Sequence, residues 1–215
     1  MISSSLSTNT NTNNIKFQTT WKPFMLIPLQ VWENGTFTNE ERNEGVNKMD
    51  WYCEKFGGKE RVMPMIARLS KVFDQCGLPK YSLEGNTGPT MDAHRLAHYM
   101  KQDHSQEAQD LFMSFIMLDY FCNSKAPCDK DVLLAACEKT FSKEANNKAM
   151  IEEAKKVLFD QTKYRQEVLN DIRAIQSRVS GVPHFIITNE STKRKVEFSG
   201  AQPMETFLDA FEELT

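Results

Sequence analysis

The chain has 215 residues, 40% of them hydrophobic and 26% charged, which is the balance of a globular protein with one sizeable domain or one domain carrying a large insertion. Its net charge of -3 argues against nucleic acid or an anionic membrane as the main partner, because both select basic surfaces. No apolar run approaches the roughly 20 residues of a membrane span, and no basic and apolar leader opens the sequence, so we expect a cytoplasmic location.

The N-terminal part combines a polar tail with one predicted strand. Residues 1–14 are almost entirely Ser, Thr and Asn, which cannot bury enough apolar surface to fold, so we expect a disordered tail. Residues 15–26 are rich in β-branched and aromatic side chains and predict a strand, which Pro23 ends or places at a sheet edge. Asn34 and Gly35 then indicate a turn.

A long helical block follows and then gives way to a different pattern. Between about residues 37 and 178 the apolar spacing predicts only helices, at 60–76, 91–102, 106–122, 130–138 and 148–178, the last with a break near 160–162. The segments 182–188 and 195–198 predict a β-hairpin. Pro203 then suits the first turn of a final helix that buries Phe207, Leu208 and Phe211.

Two motifs near the C-terminus carry a resemblance to a known family. Ser-Gly-Val-Pro-His-Phe-Ile-Ile at 180–187 and Phe-Ser-Gly-Ala-Gln-Pro at 198–203 resemble the C-terminal half of DsbA-like proteins of the FrnE group. The stretch 21–24 (Trp-Lys-Pro-Phe) and the pair Asn86-Thr87 with Ala93-His94-Arg95 are similar to further parts of that group. The resemblance covers about residues 17–215.

The resemblance implies an α/β fold in which a large all-helical insertion interrupts a thioredoxin-like sheet domain. The sheet domain is expected at 15–36 and 163–215, and the insertion at 37–162. It also implies a cis peptide bond before Pro183, in a loop whose backbone pairs with an extended peptide or a thiol or disulfide substrate. The implied substrate-binding residues are Gly181, Val182, Pro183 and His184, and the residues implied to line the cleft between the domains are Asn86, Thr87, His94 and Arg95.

The sequence departs from the family at its redox centre. The expected first strand, the CxxC turn and the helix that follows it are absent, and the thioredoxin-like sheet is therefore expected to be incomplete. The five cysteines lie at other spacings, with Cys122 and Cys128 six positions apart, and reduced, inert thiols are the favoured interpretation. Hence no catalytic residue is assigned. His94 and His98 have a spacing that can bind zinc, but ordinary helix residues are the favoured interpretation and no metal is expected.

The missing strand leaves two sheet edges unpaired, which favours a homodimer through those edges. Because nothing in residues 1–14 can replace a central strand, a sequence that lacks its N-terminal segment is preferred over a degenerate, redox-inactive relative. The resemblance implies a thiol-disulfide oxidoreductase, and two other functions stay open. One is a redox-inactive module that binds extended peptides. The other is a glutathione transferase or isomerase of the kappa-class type, which would add glutathione as a cofactor and for which Ser3-Ser4-Ser5 is a poor nucleophile candidate.

Overall fold

The computed structural model describes residues 15–215, so the predicted disorder of 1–14 and the Ser3-Ser4-Ser5 run lie outside the described residues. Helices dominate this part of the chain, and the strands are few and short. The elements follow in the order α1 (Leu29–Glu33), α2 (Asn39–Glu44), β1 (Val46–Asn47), α3 (Lys48–Phe56), α4 (Lys59–Gln75), β2 (Asn86–Thr87), α5 (Met91–Tyr99), a π-helical turn (Met100–His104), α6 (Gln106–Phe121), α7 (Lys130–Phe141), α8 (Asn147–Phe159), α9 (Arg165–Gln176), β3 (His184–Thr188), β4 (Lys195–Ser199) and α10 (Met204–Leu214).

The helices of the predicted block begin and end where their capping residues place them. Ser105 accepts the backbone N–H of Ala108 at 3.1 Å and starts α6, and Asp129 caps α7 in the same way. Gly57, in the left-handed conformation, ends α3. The predicted break near 160–162 is confirmed, since α8 ends at Phe159 and α9 starts at Arg165.

The main hydrophobic core lies inside the helical block. Helices α5, α6, α7 and α8 pack against one another around side chains that are almost completely removed from water. The largest of them with no measurable exposure are Phe112, Leu96, Met100, Leu133 and Leu158. A second, smaller cluster of Met25, Met91, Val168 and Ile172 joins the N-terminal segment to α5 and α9. This second cluster holds the N-terminal segment against the helices.

Two buried cations stabilise helix ends in this block. The Nζ of Lys48 donates to the carbonyl oxygens of Ser82 at 3.3 Å and Tyr120 at 2.7 Å, and it lies 4.1 Å from the centre of the Tyr120 ring. Arg95 is likewise fully buried and binds carbonyl oxygens at the end of α8. Among the carbonyl groups that these cations bind, those of Tyr120 in the last turn of α6 and Val157 in the last turn of α8 lack intrahelical donors.

The predicted strand at 15–26 is wrong. This segment is irregular, and α1 follows it within the stretch assigned to the sheet domain. Its backbone groups bind side chains instead of a neighbouring strand: Gln109 accepts the N–H of Trp21 at 3.0 Å and donates back to its carbonyl oxygen at 3.2 Å. Gln176 donates to the Met25 carbonyl at 2.9 Å. A strand forms only when a neighbouring strand supplies hydrogen-bond partners for its backbone N–H and C=O groups. In this segment side chains bind those groups instead, so the β-rich composition does not produce a strand.

The predicted hairpin is confirmed. Strands β3 and β4 pair antiparallel, with His184 opposite Ser199 and Thr188 opposite Lys195. The rings of Phe185, Phe198 and Phe207 meet in a cluster with centroids 4.9 to 5.4 Å apart, which fixes the hairpin on α10. The burial predicted for α10 holds only in part, since Leu208 is 49% exposed. The sheet surface on which α10 packs is small, because among residues 15–215 only two strands form this sheet.

A second two-stranded pair lies inside the block for which the sequence predicts helices alone. Val46 pairs with Thr87 and Asn47 with Asn86, so β1 and β2 form a two-residue ladder and no continuous sheet. Among the described residues, no helix is long and apolar enough to cross a membrane.

Candidate functional site

The loop before β3 is the most exposed of the predicted site segments. The peptide bond between Val182 and Pro183 is cis. The carbonyl oxygen of Pro183 accepts the N–H of Gly200 at 2.8 Å, and this bond ties the loop to the start of the turn after β4. Val182 is 50% exposed, and a side chain at Gly181 would meet no atom within 4 Å. The loop therefore presents its backbone and the Val182 side chain to the outside.

The hydrogen-bonding register decides which backbone groups β3 offers. Pro183 bonds to Gly200, and Asn189 donates to the carbonyl of Arg194 at 3.0 Å, so alternate residues of β3 face β4. The backbone groups of His184, Ile186 and Thr188 consequently point away from β4. Within residues 15–215 no strand pairs with this outer edge. An extended polypeptide can add to such an edge through main-chain hydrogen bonds.

A polar cluster lies directly beside the loop. The Nδ1 of His184 is 2.8 Å from the hydroxyl of Ser199, its partner across the hairpin. The Nε2 of His184 is 3.8 Å from a carboxylate oxygen of Glu197, and Arg178 approaches the same carboxylate at 3.4 Å. This arrangement fixes the imidazole beside Pro183, on the face of the hairpin opposite the phenylalanine cluster.

The four residues expected to line the interdomain cleft occupy three different places. His94 alone lines a cavity, where its Nε2 lies 3.2 Å from the carbonyl oxygen of Phe24. Burial lowers the pKa of His94 to about 4, so its ring is neutral near pH 7 and Nε2–H is the donor. Thr87 is buried and accepts the hydroxyl of Tyr120 at 3.1 Å, and Asn86 donates to the Glu44 carbonyl at 3.0 Å.

Arg95 differs most from its expected role. Its side chain has no exposed surface, so it holds helices together and lines no open cleft. It donates to the carbonyl of Lys163 at 2.8 Å and to Asp92 at 2.7 Å. It also donates to the carbonyl oxygens of Val157 and Asp160, and thereby joins α5 to the link between α8 and α9. Sequence similarity identified the position, while the structure assigns it to packing.

The cavity that His94 lines has a volume of about 220 Å³ and opens between the segment 21–23 and helices α5, α6 and α9. Its wall includes Trp21, Lys22, Lys101 and Asp171, which sequence reasoning did not single out as site residues. No spacing pattern could have found them, because they come from three separate segments and only the packing of those segments brings them together.

Three of the five described thiols have raised pKa values. All five cysteines are free, and they lie between α3 and α7. Burial raises the pKa of Cys128 and of Cys137 to about 12, and it also raises the pKa of Cys122 despite the nearby Lys48 ammonium. A thiol attacks only as its thiolate, so these three groups are poor nucleophiles. Among the described residues no three potential ligands are grouped to bind a metal ion.

A hairpin that packs on a C-terminal helix and is joined to a helical block agrees with the class of thioredoxin-like proteins that carry a helical insertion. The family model of the DSBA-like thioredoxin domain matches residues 5–212, and the chain belongs to that family. The α/β, thioredoxin-like fold class predicted from the sequence is therefore confirmed.

A solved structure is similar along most of the chain. The crystal structure of a probable DsbA oxidoreductase from Streptomyces coelicolor superposes with a TM-score of 0.63 at 25% sequence identity. The match covers 77% of this chain and 66% of the other, so this chain spans slightly less than two thirds of that relative. No curated protein matches the chain in sequence.

Proposed function

We propose that this member of the DsbA-like family binds an extended polypeptide along the outer edge of β3, beside the cis-proline loop, and supplies no dithiol chemistry of its own. Gly181, Val182, Pro183 and His184 are the proposed docking residues. In this proposal the sheet domain comprises 15–36 and 163–215, with the FrnE-like helical insertion at 37–162 between its halves, and the free thiols reside in a reducing, cytoplasmic compartment.

One observation carries the proposal: the outward backbone groups of His184, Ile186 and Thr188 continue the exposed loop at Val182. Main-chain hydrogen bonds along an edge supply affinity without demanding a particular sequence, while the alternate side chains add selectivity. The half-exposed Val182 and the 43% exposed Ile186 offer apolar contacts to a bound segment. The family relationship supports a thiol-bearing or disulfide-bearing polypeptide as the substrate class.

The hairpin provides a matched pair of variants for the test. Ile186→Pro removes an N–H that points away from β4, so the hairpin keeps its own ladder while the outer edge of β3 loses a donor. Glu197→Pro does the same on the outer edge of β4, because Glu197 lies opposite Ile186. Both substitutions place proline on an edge, where a strand tolerates it.

The assay measures the fluorescence anisotropy of a labelled hexapeptide of alternating valine and threonine. We expect binding to the unchanged protein and to Glu197→Pro, and loss of binding in Ile186→Pro. Equal binding by the two variants would refute the proposed edge. A second copy of this chain could occupy the same edge, and light scattering at the same concentrations measures whether it does. A dimer that Ile186→Pro dissociates and Glu197→Pro does not would show that the edge serves homodimerisation and not peptide binding.

The absence of dithiol chemistry has its own test. Disulfide reduction by the purified chain is compared with that of the Cys122→Ser/Cys128→Ser double variant. We expect no turnover by either protein, since Cys128 is buried and the pKa values of both thiols are raised. Turnover that the double variant abolishes would assign a redox site to the helical insertion.

A further inference from the structure

The cavity between the N-terminal segment and helices α5, α6 and α9 has the charge and size of a ligand site. It holds about 220 Å³, and its lining includes Lys22, His98 and Lys101. Trp21 and Met113 contribute apolar wall. None of the residues that line it belongs to the hairpin, so it is separate from the edge of β3.

The wall carries more positive than negative charge. Lys22 pairs with Asp171 at 3.1 Å, whereas the Nζ of Lys101 donates to the hydroxyl of Thr20 at 3.3 Å. No carboxylate among residues 15–215 forms an ion pair with Lys101. Burial is the main cause that lowers the pKa of Lys101, and the repulsion of the Lys22 ammonium adds to it. The carboxylate of Asp171 opposes this effect, and it is the one carboxylate that acts on both cations. An entering anion would relieve that repulsion.

We propose that this cavity binds a small organic carboxylate between Lys22 and Lys101. An ammonium group binds a carboxylate through short, charge-assisted hydrogen bonds, and the hydrocarbon part of the ligand packs on Trp21 and Met113. The volume equals about seven water molecules at roughly 30 Å³ each, which admits a ligand of about eight heavy atoms. A dicarboxylate of the size of succinate fits this limit. The proposal does not rest on peptide binding by β3.

The indole N–H signals of the three tryptophans provide a local measurement in a nitrogen–proton correlation NMR spectrum of the full chain. Trp21 lines the cavity, while Trp32 is 2% exposed and stacks on Trp51, away from its wall. We expect succinate to shift the Trp21 signal saturably and to leave the Trp32 signal unchanged. Succinamide, which has the same length without charge, is expected to cause no shift. Equal shifts by succinate and succinamide would overturn the proposal.

Variants then locate the charge. Lys101→Gln removes one charge-assisted hydrogen bond and is expected to weaken succinate binding about tenfold. The matched control is Lys155→Gln, an exposed lysine of α8 paired with Glu152, which is expected to bind as the unchanged protein does. Asp171→Asn removes the competing carboxylate and is expected to tighten binding about fivefold. A loss of affinity in Asp171→Asn, or equal affinities in the two lysine variants, would contradict the assignment.

Discussion

Replacing Arg95 with methionine removes the guanidinium that joins α5 to the end of α8, while it keeps a long apolar stem of similar size. The guanidinium of Arg95 donates to three carbonyl oxygens, those of Val157, Asp160 and Lys163, and it forms an ion pair with Asp92. A buried acceptor left without a donor costs about 1–3 kcal/mol. Of the three bonds only the one to Val157 is fully buried, and the carbonyl oxygen of Asp160 keeps the N–H of Lys163 as a donor at 3.2 Å. The orphaned Val157 acceptor and the broken ion pair lead us to expect a loss of about 3–5 kcal/mol in the free energy of unfolding.

Urea denaturation followed by circular dichroism measures this loss, and thermal unfolding should show a decrease in the melting temperature of roughly 6–20 °C for a chain of this length. The matched control is Arg165→Met, which breaks an ion pair with Glu33 at 2.7 Å whose side chains are 32% and 48% exposed. Such an exposed pair contributes about 0–1 kcal/mol. If Arg95→Met loses no more stability than Arg165→Met, the guanidinium does not hold α5 against the end of α8.

Two further predictions concern the thiols and the close packing around them. Cys128 and Cys137 should react with Ellman's reagent at pH 8 only after denaturation, because burial raises the pKa of each to about 12; rapid labelling of either thiol in the native protein would contradict their burial. Gly88→Ala should destabilise the protein by about 1–3 kcal/mol in urea, since the sulfur of Cys128 occupies the space that the new methyl group needs. The methyl group of Gly181→Ala meets open space, so the free energy of unfolding of this variant should lie within about 0.5 kcal/mol of that of the unchanged protein. Equal losses of stability in Gly88→Ala and Gly181→Ala would disprove the steric argument.

The helical block could be predicted from the sequence because each helix carries its own local signals. Apolar side chains at helical spacing identify α6 and α7, and Ser105 and Asp129 cap the first turns of these helices. The break between α8 and α9 follows from polar residues at 160–162, where Asp160 accepts the N–H of Thr162 at 3.0 Å. These are interactions between neighbours in sequence, so periodicity and capping chemistry suffice to find them.

The failures lie where distant parts of the chain decide the outcome. Residues 15–26 have a β-rich composition, but the side chains of Gln109, His94 and Gln176 occupy their backbone groups. Composition does not reveal whether a neighbouring strand is present, and that neighbour decides whether a strand forms. The resemblance places Arg95 in a cleft, yet the carbonyl groups that it binds lie more than 60 positions further along the chain. Only the packed structure shows which partner a charged helix residue meets.

The side chain of His94 makes the stability of the protein depend on pH in a defined window. Its pKa is about 4 in the folded protein, because burial disfavours the charged ring, against 6.5 for an ordinary histidine. Between these values the unfolded chain binds the proton and the folded protein does not, so the free energy of unfolding falls as the pH decreases from 6.5 to 4. One pKa unit corresponds to about 1.36 kcal/mol, which sets an upper limit of about 3 kcal/mol for this residue.

His94→Gln keeps an N–H donor for the carbonyl oxygen of Phe24 and removes the titration, so its stability should decrease less over that range. Some slope is expected to persist, because burial also lowers the pKa of His104. The measurement is urea unfolding at pH 7 and pH 4.5 for both proteins, with His184→Gln on the hairpin as the control. Identical losses of stability in the unchanged protein and in His94→Gln would show that the ring of His94 is protonated within the fold. The hydrogen bond from its Nε2 to the N-terminal segment would then have to be assigned to an imidazolium, which a buried site beside a single carbonyl group strongly disfavours.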